Sequence, residues 1–307
     1  MPRIRLRDFI EDSDGWIYAV SAYDNEERIG CVLRYVPDPE GERVNPQGTR
    51  YRKFDFEEAY EIIALHKPQY TDSVHRIPAA EVRRVFKPEV EMPRIAASHP
   101  RVANLMEILK VPPGFIGCTG SLLCGLDNEG SDIDLVVYGP AWFSAQKTLR
   151  DAIRDGRIEG LSDEMWDKVY HKRRPEISFE DFVLHEHRKW NRGQIGGTYF
   201  DLLFTRSYDE LDRIVIRKGE VLGRATITAR VTDASLAFDN PAVYSVDHEE
   251  ISKVLSFTHT YSGQALAGET IEACGVVEQH GSERWLIVGT TREAKGEYIV
   301  SRTLLEG

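Results

Sequence analysis

The sequence predicts an α/β protein of the α+β type, in which a core domain with a mixed sheet lies between a small N-terminal α+β domain and a C-terminal β-rich domain. Three observations support this prediction. Residues 96–217 alternate between strand-like and helical patterns, residues 1–95 combine a hairpin pattern with helical periodicity, and residues 218–307 are rich in Val, Ile, Thr and Gly. The 307 residues suffice for two or three domains of about 100–200 residues each.

The composition is that of a soluble globular protein. Hydrophobic residues make up 41% and charged residues 29%, which excludes a disordered or collagen-like chain. No apolar run approaches the roughly 18 residues of a membrane helix, and the first residues lack the apolar core of a signal peptide. We therefore expect a cytoplasmic protein that has no membrane partner.

Charge and cysteine content narrow the class of protein further. The formal net charge of −11 argues against general adhesion to nucleic acid, although it leaves room for a local basic groove. The four cysteines contain no CxxC pair, so neither a zinc ribbon nor a disulfide scaffold is predicted.

In the N-terminal domain, residues 15–41 alternate apolar and polar side chains around an Asp-Asn turn, which predicts a β-hairpin. Residues 54–68 place apolar side chains at helical spacing and end in proline, which predicts a helix. A second amphipathic segment covers residues 79–88. The prolines of residues 87–95 indicate a linker to the core domain.

The core domain begins with a predicted helix over residues 100–113, which two prolines end. Residues 131–139 form a short apolar run with a β-branched centre, as expected of a buried strand. Amphipathic helices are predicted over 143–156 and 179–193, and a further strand over 198–208. This alternation of strands and helices indicates an α/β core.

The pattern of the C-terminal domain predicts a set of short strands. The segments 223–238, 270–291 and 296–305 are each bounded by turn residues, and Gly281-Ser282 would join two strands as a hairpin. A small β-barrel of OB-like type fits this pattern.

The residues that suggest chemistry lie between Gly120 and Val137, and they include a pair of aspartates. Asp132 and Asp134 are two positions apart at the start of an apolar strand, so their side chains project from the same face. Two like charges this close repel each other unless a cation neutralises them. Mg²⁺ prefers hard oxygen ligands, and carboxylates at i and i+2 can bridge two ions about 3.5–4 Å apart. The pair therefore predicts a divalent metal site, whereas an isolated D-x-D would more often be a solvated loop.

A third carboxylate completes the predicted site. Asp201 interrupts an otherwise apolar strand, where its side chain would face the side opposite to Phe200 and Leu202. If this strand lies beside the strand of Asp134, Asp201 points at the same metals. Asp201 or a water molecule would then accept the proton of an attacking hydroxyl.

Gly120-Ser121 supplies a predicted binding site for phosphate. Glycine lets a ligand approach the backbone closely, and a serine at the start of a helix offers a hydroxyl and an N–H to an anion. We expect this turn to hold the β- and γ-phosphates of a nucleoside triphosphate. It is not a Walker A loop, because the GxxxxGK[ST] pattern is absent.

At this point the sequence resembles a known family. The segment TGSLLCGLDNEGSDIDLVVYG is similar to the signature of the DNA polymerase beta-type nucleotidyltransferase superfamily, in which Gly-Ser precedes D-x-D in a hydrophobic strand. The resemblance covers about residues 100–215. The whole chain also resembles uncharacterised archaeal-type predicted nucleotidyltransferases with flanking domains. Asp127-Asn128-Glu129 departs from the pattern, because basic or polar residues are common between its two halves.

The resemblance implies two Mg²⁺ (or Mn²⁺) ions held by Asp132, Asp134 and Asp201. It also implies that Gly120 and Ser121 bind the triphosphate of an NTP substrate.

A basic stretch before the Asp201 strand has two interpretations. Lys189 and Arg192 are candidate cations for triphosphate oxygens or an incoming nucleic-acid strand, with Trp190 available for base stacking. The alternative is a solvated helix face with a buried tryptophan.

The last domain interleaves basic and aromatic residues: Arg284, Trp285, Arg292 and Lys295. Such residues on the open face of an OB-like barrel can bind single-stranded RNA or DNA by stacking. A role in packing or subunit contact is the simpler alternative.

Two classes of function follow. The first is an enzyme that moves a nucleoside monophosphate from an NTP to an acceptor hydroxyl and releases pyrophosphate. The acceptor would be an RNA or DNA end, a protein side chain or a small molecule, and the flanking domains favour nucleic acid slightly. The alternative is a catalytically silent nucleotide- or nucleic-acid-binding regulatory protein. The sequence leaves the oligomeric state open.

Overall fold

A computed structural model of the chain describes residues 3–214, 216–290 and 296–307. Its Cα packing divides the chain into two units: the first holds the residues up to Glu159 and Gly193–Ile216, and the second holds Gly160–Arg192 and Arg217–Gly307. The predicted boundary near residue 95 falls inside the first unit. The division into three domains stays a prediction. No helix within the described ranges has both the length and the apolar content needed to cross a membrane.

The first unit contains two sheets, one from the N-terminal residues and one from the core. The strands of the N-terminal sheet are β1 (Phe9–Asp12), β2 (Ile17–Val20), β3 (Arg28–Pro37), β4 (Arg43–Val44), β5 (Arg50–Lys53), β6 (His75–Pro78) and β7 (Val82–Phe86). The strands of the core sheet are β8 (Ile116–Cys118), β9 (Ile133–Tyr138), β10 (Arg192–Ile195) and β11 (Thr198–Thr205). The helices of this unit are α1 (Phe56–His66), α2 (Pro88–Ser98), α3 (Pro100–Leu109), α4 (Gly120–Cys124) and α5 (Ala141–Arg154).

The N-terminal sheet has the order β4-β5-β3-β2-β1-β7, and β6 pairs with β3. The predicted hairpin is confirmed as the antiparallel pair of β2 and β3, with the Asp-Asn turn between them. One face packs on α1, whose predicted position is also confirmed. α1 begins at a capping box, in which Asp55 accepts from the Glu58 N–H and the Glu58 carboxylate accepts from the Asp55 N–H.

Residues 87–95 form a helix, so the predicted linker was wrong. α2 begins at Pro88, where proline fits because the first N–H of a helix has no intrahelical acceptor. Pro93 lies inside the helix and removes one backbone hydrogen bond. Met92 and Ile95 are buried, and this packing outweighs the local proline signal. The amphipathic segment before it forms a short 3₁₀ turn and β7.

The core sheet has the order β10-β11-β9-β8. β9 runs parallel to β11 and antiparallel to β8, so the sheet is mixed as predicted. The predicted inward residues of β9 are buried, with Leu135 and Val137 fully inaccessible. The helices expected around residues 100–113 and 143–156 are confirmed as α3 and α5.

The second unit combines helices with a third sheet. Its helices are α6 (Asp163–Arg173), α7 (Phe179–Lys189) and α8 (Arg302–Glu306). Its strands are β12 (Glu220–Leu236), β13 (Ala242–Asp247), β14 (Lys253–Ser256), β15 (Thr270–His280), β16 (Glu283–Val288) and β17 (Tyr298–Ser301). The helix expected over 179–193 is confirmed as α7, whereas α6 was not predicted.

The third sheet has the order β12-β13-β14-β16-β15-β17, and β12 also pairs with β15. β14 and β16 are parallel, and the other described pairs are antiparallel. The predicted hairpin at Gly281-Ser282 is confirmed as the turn between β15 and β16. Inward side chains such as Val231, Tyr244 and Leu286 form its apolar core.

Candidate active site

Two of the predicted aspartates lie side by side on the core sheet. In the parallel register of β9 and β11, Asp134 is the direct partner of Asp201. Facing residues of neighbouring strands project their side chains to the same side of a sheet, so both carboxylates share one face. Leu135 and Leu202 project to the other side and are fully buried. The alternation predicted for each strand therefore brings the two acids together.

Asp132 precedes β9 and has an exposed side chain. Together with Asp201 it surrounds Asp134 with negative charge. Burial is the main cause that raises the pKa of Asp134 to about 6, and the charges of Asp201 and Asp132 act in the same direction. The cluster thus favours a proton or a cation at this position.

The Gly120 turn lies directly against Asp134. The Thr119 N–H donates to the backbone oxygen of Asp134 at 2.9 Å, which joins the turn to β9. Gly120 has φ +71°, and a Cβ at this residue would lie 2.6 Å from Asp134 Oδ2. Glycine is therefore required here both by the left-handed backbone and by the carboxylate.

Ser121 follows at the start of α4, which has only five residues. Its side chain is half-buried and makes no hydrogen bond with another described residue. A short helix adds little dipole, so any affinity of this turn for an anion would come from its N–H and hydroxyl groups.

Tyr199 orients the third aspartate. Its Oη donates to Asp201 Oδ1 at 3.0 Å. The two residues are at i and i+2 of one strand and so share a face, which their spacing in the sequence already indicates.

The donor set fits a divalent cation. Within the described residues, no group of three His, Cys, Asp or Glu side chains has the geometry of a metal site. Asp134 and Asp201 nevertheless supply neighbouring hard oxygen ligands, and Asp132 contributes charge beside them. A cation would relieve the repulsion between these carboxylates.

Lys189 and Arg192, the predicted phosphate-binding cations, belong to the second unit and surround a buried glutamate. Glu186 Oε1 lies 2.6 Å from Lys189 Nζ, and Oε2 pairs with Arg192. Arg173 approaches Oε1 at 3.6 Å, and Lys189 also donates to the Thr260 oxygen at 2.6 Å. Lys189 and Arg192 are both buried. Both cations thus pair with an internal carboxylate.

The aromatic residue proposed for base stacking in the last domain is also buried. The Trp285 ring stacks on His280 with centroids 3.9 Å apart, and its Nε1 donates to Glu283. Arg284 pairs with Glu250 at 3.3 Å. Arg292 and Lys295 lie outside the described residues. The contacts of Arg284 and Trp285 are those of a packing role.

The N-terminal sheet contributes residues that sequence reasoning missed. Tyr35 is buried in a cluster with Leu123, Cys124 and Leu126, which brings this sheet onto α4 and the loop that follows. Arg43 Nη1 donates to the Leu126 oxygen and to Ser131 Oγ, both at 3.3 Å. This arginine therefore holds the loop that leads into Asp132.

A cavity of about 320 Å³ adjoins the same loop. Ser131 and Ile133, the two neighbours of Asp132, line it together with Leu122, His99 and Arg101. Its volume is in the range of small-molecule sites.

The Gly120 turn thus lies beside two in-register aspartates on a mixed sheet, which is the geometry expected from the motif. Residues 103–190 match the nucleotidyltransferase domain family. The chain belongs to this family, within the DNA polymerase beta-type superfamily predicted from its motif. The matched range contains Asp132 and Asp134 and ends before Asp201.

The similarity to a known protein extends over nearly the whole chain. An uncharacterised protein from the archaeon Methanocaldococcus jannaschii is 36% identical, and the alignment covers 97% of this chain and 98% of that protein. No solved structure matches the chain.

Proposed function

We propose that this nucleotidyltransferase moves a nucleoside monophosphate from an NTP to an acceptor hydroxyl. The observation that carries the proposal is the register of β9 and β11, which pairs Asp134 with Asp201 beside the Gly120 turn. Two adjacent carboxylates can hold divalent cations, and the neighbouring glycine turn can bind phosphate. Both are needed to stabilise the negative charge of a phosphoryl transfer.

In the proposed step, the acceptor oxygen forms a bond to the α-phosphorus of the NTP. The bond from the α-phosphorus to the oxygen bridging to the β-phosphate breaks, and pyrophosphate leaves with that electron pair. Asp201 accepts the hydroxyl proton, and the Tyr199 hydroxyl keeps its carboxylate oriented. Gly120 and Ser121 contact the phosphates through backbone N–H groups and the serine hydroxyl.

Asp132, Asp134 and Asp201 would hold two Mg²⁺ (or Mn²⁺) ions. When bound, Mg²⁺ supplies Lewis-acid activation of the hydroxyl and charge stabilisation at the leaving oxygen. The support from the chain is that Asp134 and Asp201 lie side by side on one face of the sheet with Asp132 next to them, so that their oxygens can serve as ligands of a cation.

We favour a nucleic-acid end as the acceptor, on the inference that the third sheet is OB-like; its strand order supports this inference. Five strands pair in the cyclic order β12-β13-β14-β16-β15-β12, with β14 and β16 parallel. OB-like barrels often bind single strands. Trp285 is not proposed to stack on a base, because its ring is buried.

The test is incubation of the full chain with Mg²⁺ and each of labelled ATP, CTP, GTP and UTP, with total RNA, DNA, protein or small-molecule acceptors. We expect transfer to one acceptor class. Asp132→Asn and Asp134→Asn should each lower the rate by about a hundredfold or more, because each removes charge at the transition state. Glu129→Gln, on the exposed linker between the two motif halves, is the matched control.

The outcomes separate the two functional classes. Full activity in either aspartate variant would reject the assignment of that residue. Nucleotide binding by the wild type without transfer to any acceptor would instead support the regulatory alternative.

A further inference from the structure

The face of the N-terminal sheet that packs on α4 carries a lysine beside the aspartate cluster. Lys53 in β5 is the direct register partner of Tyr35 in β3, so both side chains lie on that face. Tyr35 is packed against Cys124 and Leu126, on both sides of the turn that ends α4. Lys53 is therefore directed toward the core sheet, while its neighbour Arg52 faces the opposite side of β5 and pairs with Glu58 at 3.3 Å.

Arg7, in the segment before β1, also lies next to the proposed site. Arg7 is half-buried, and three hydrogen bonds fix it: its N–H donates to the Val20 oxygen, its oxygen accepts from Thr119 Oγ1 at 2.7 Å, and its Nε donates to the Phe204 oxygen at 3.4 Å. Thr119 immediately precedes Gly120, and Phe204 lies on the strand of Asp201. Arg7 thus bridges the two elements that carry the proposed phosphate turn and the third aspartate.

The backbone of Arg7 indicates that this placement is costly. Its φ of +71° lies in the left-handed region, which few non-glycine residues occupy. Strained residues that surrounding contacts hold in place are concentrated at functional sites. The contacts with Val20, Thr119 and Phe204 hold Arg7 in this way.

Both cations act electrostatically on the site. Arg7 and Lys53 both interact through their positive charge with the Asp134 carboxylate. A triphosphate brings about four negative charges to a site that already holds three carboxylates, so cations of the protein are needed in addition to a divalent metal. Lys189 and Arg192 are paired with Glu186 in the second unit.

We propose that Arg7 and Lys53 bind the phosphate oxygens of the incoming triphosphate and of the departing pyrophosphate, across from the Gly120-Ser121 turn. This role rests on the proposed function. Arg43 is assigned the separate task of positioning the loop before Asp132, through its bonds to Leu126 and Ser131.

Binding of inorganic tripolyphosphate to the full chain, measured by calorimetry with Mg²⁺ present, tests the proposal without requiring turnover. Lys53→Met removes the charge and retains the side-chain length, and Arg7→Gly removes the guanidinium while suiting the left-handed backbone. Each variant should weaken binding about tenfold or more, as expected for the loss of a charge-assisted contact to phosphate. Lys53→Arg should restore most of the affinity.

The matched control is Arg52→Met, one position away on the other face of β5, which should leave the affinity unchanged. Thermal unfolding of each variant shows whether its fold is retained, and the two Lys53 variants decide the question if Arg7→Gly unfolds. Unchanged affinity in Lys53→Met, or an equal loss in Arg52→Met, would overturn the proposal.

The experiment also distinguishes this inference from the proposed function. A wild-type chain that transfers nucleotides while Lys53→Met binds tripolyphosphate normally would remove only the phosphate-binding role. A wild-type chain that binds tripolyphosphate through Lys53 and transfers no nucleotide would support the role and reject the transfer reaction.

Discussion

The aspartate cluster of the first unit and the Glu186 cluster of the second unit both concentrate charge, but they differ in how that charge is balanced. Glu186 is buried among Lys189, Arg192 and Arg173, and its charge is compensated within the protein. Asp134 lies beside Asp201 and Asp132, and its pKa is raised to about 6 although Arg7 and Lys53 are near. Removal of the carboxylate that pairs with buried cations should destabilise the fold, whereas a carboxylate crowded by other carboxylates is better suited to receive a cation.

The largest expected effect comes from removing the carboxylate of the Glu186 cluster. Glu186→Ala leaves three buried or half-buried cations without their carboxylate, so the free energy of unfolding should fall by about 3–5 kcal/mol. Urea unfolding measures it, with exposed Glu180→Ala on the same helix as the control. A loss below that of the control would mean that the cluster contributes nothing to stability.

The next largest effect is the loss of stability at low pH that we expect from the buried His185 of the second unit. His185 is buried, its Nδ1 contacts the Asp181 oxygen at 2.6 Å, and its Nε2 accepts from the Ser301 N–H. Burial is the main cause that lowers the pKa of His185 to about 4. Protonation then favours the unfolded chain, so stability present above pH 6.5 should be lost as the pH falls toward 4, by about 3 kcal/mol at most.

Hydrogen exchange of the α7 and β17 peptides between pH 7 and pH 4 localises this effect. His187→Gln, two positions away and exposed, should keep the same pH dependence as the wild type. Exchange in α7 and β17 that does not change with pH would contradict the assignment.

In the first unit, the contribution of Asp134 to stability should change with pH in the opposite direction to that of His185. Because the pKa of Asp134 is raised from 3.8 to about 6, the group favours the folded state below pH 3.8 and loses that contribution as the pH rises through 6. We expect Asp134→Asn to raise the free energy of unfolding by about 1–2 kcal/mol at pH 8 without metal. Urea unfolding at pH 4 and pH 8 checks this. If Asp134→Asn instead lowered the free energy of unfolding at pH 8, the ionised Asp134 carboxylate would not destabilise the folded state.

The smallest expected effect is the stabilisation of the folded chain by bound Mg²⁺, which should depend on the aspartate cluster and not on the Glu186 cluster. At ten times its dissociation constant, Mg²⁺ should stabilise the wild type by about 1.4 kcal/mol. Glu186→Gln should retain this increment, and Asp134→Asn should lose most of it. Thermal unfolding with and without Mg²⁺ measures the difference, and an equal increment in both variants would place cation binding elsewhere.

The parts of the fold that the sequence predicted are those with strong local signals. The hairpin of β2 and β3, α1, and the alternation in β9 and β11 follow from periodicity and turn residues. For the candidate site, the pairing of Asp134 with Asp201 is confirmed, because each aspartate stands in an apolar strand and the two strands are neighbours; the roles of these residues stay predictions.

The errors arose where distant contacts outweighed local signals. α2 forms despite Pro93 because its apolar side chains are buried. Lys189 looked available for phosphate, although Glu186 three positions earlier was a visible signal of an internal ion pair. Nothing near Arg7 or Lys53 in the sequence indicates the site, since only tertiary packing brings them there.

The parallel pairing of β9 with β11 also sets the order in which the site can assemble. More than sixty residues separate Asp134 from Asp201, and they include the excursion from Gly160 to Arg192 into the second unit. At a synthesis rate of about 5–20 residues per second, β9 leaves the ribosome several seconds before β11. Throughout that interval the edge of β9 that will pair with β11 has unpaired backbone N–H and C=O groups, so we expect it to be open to pairing with another chain.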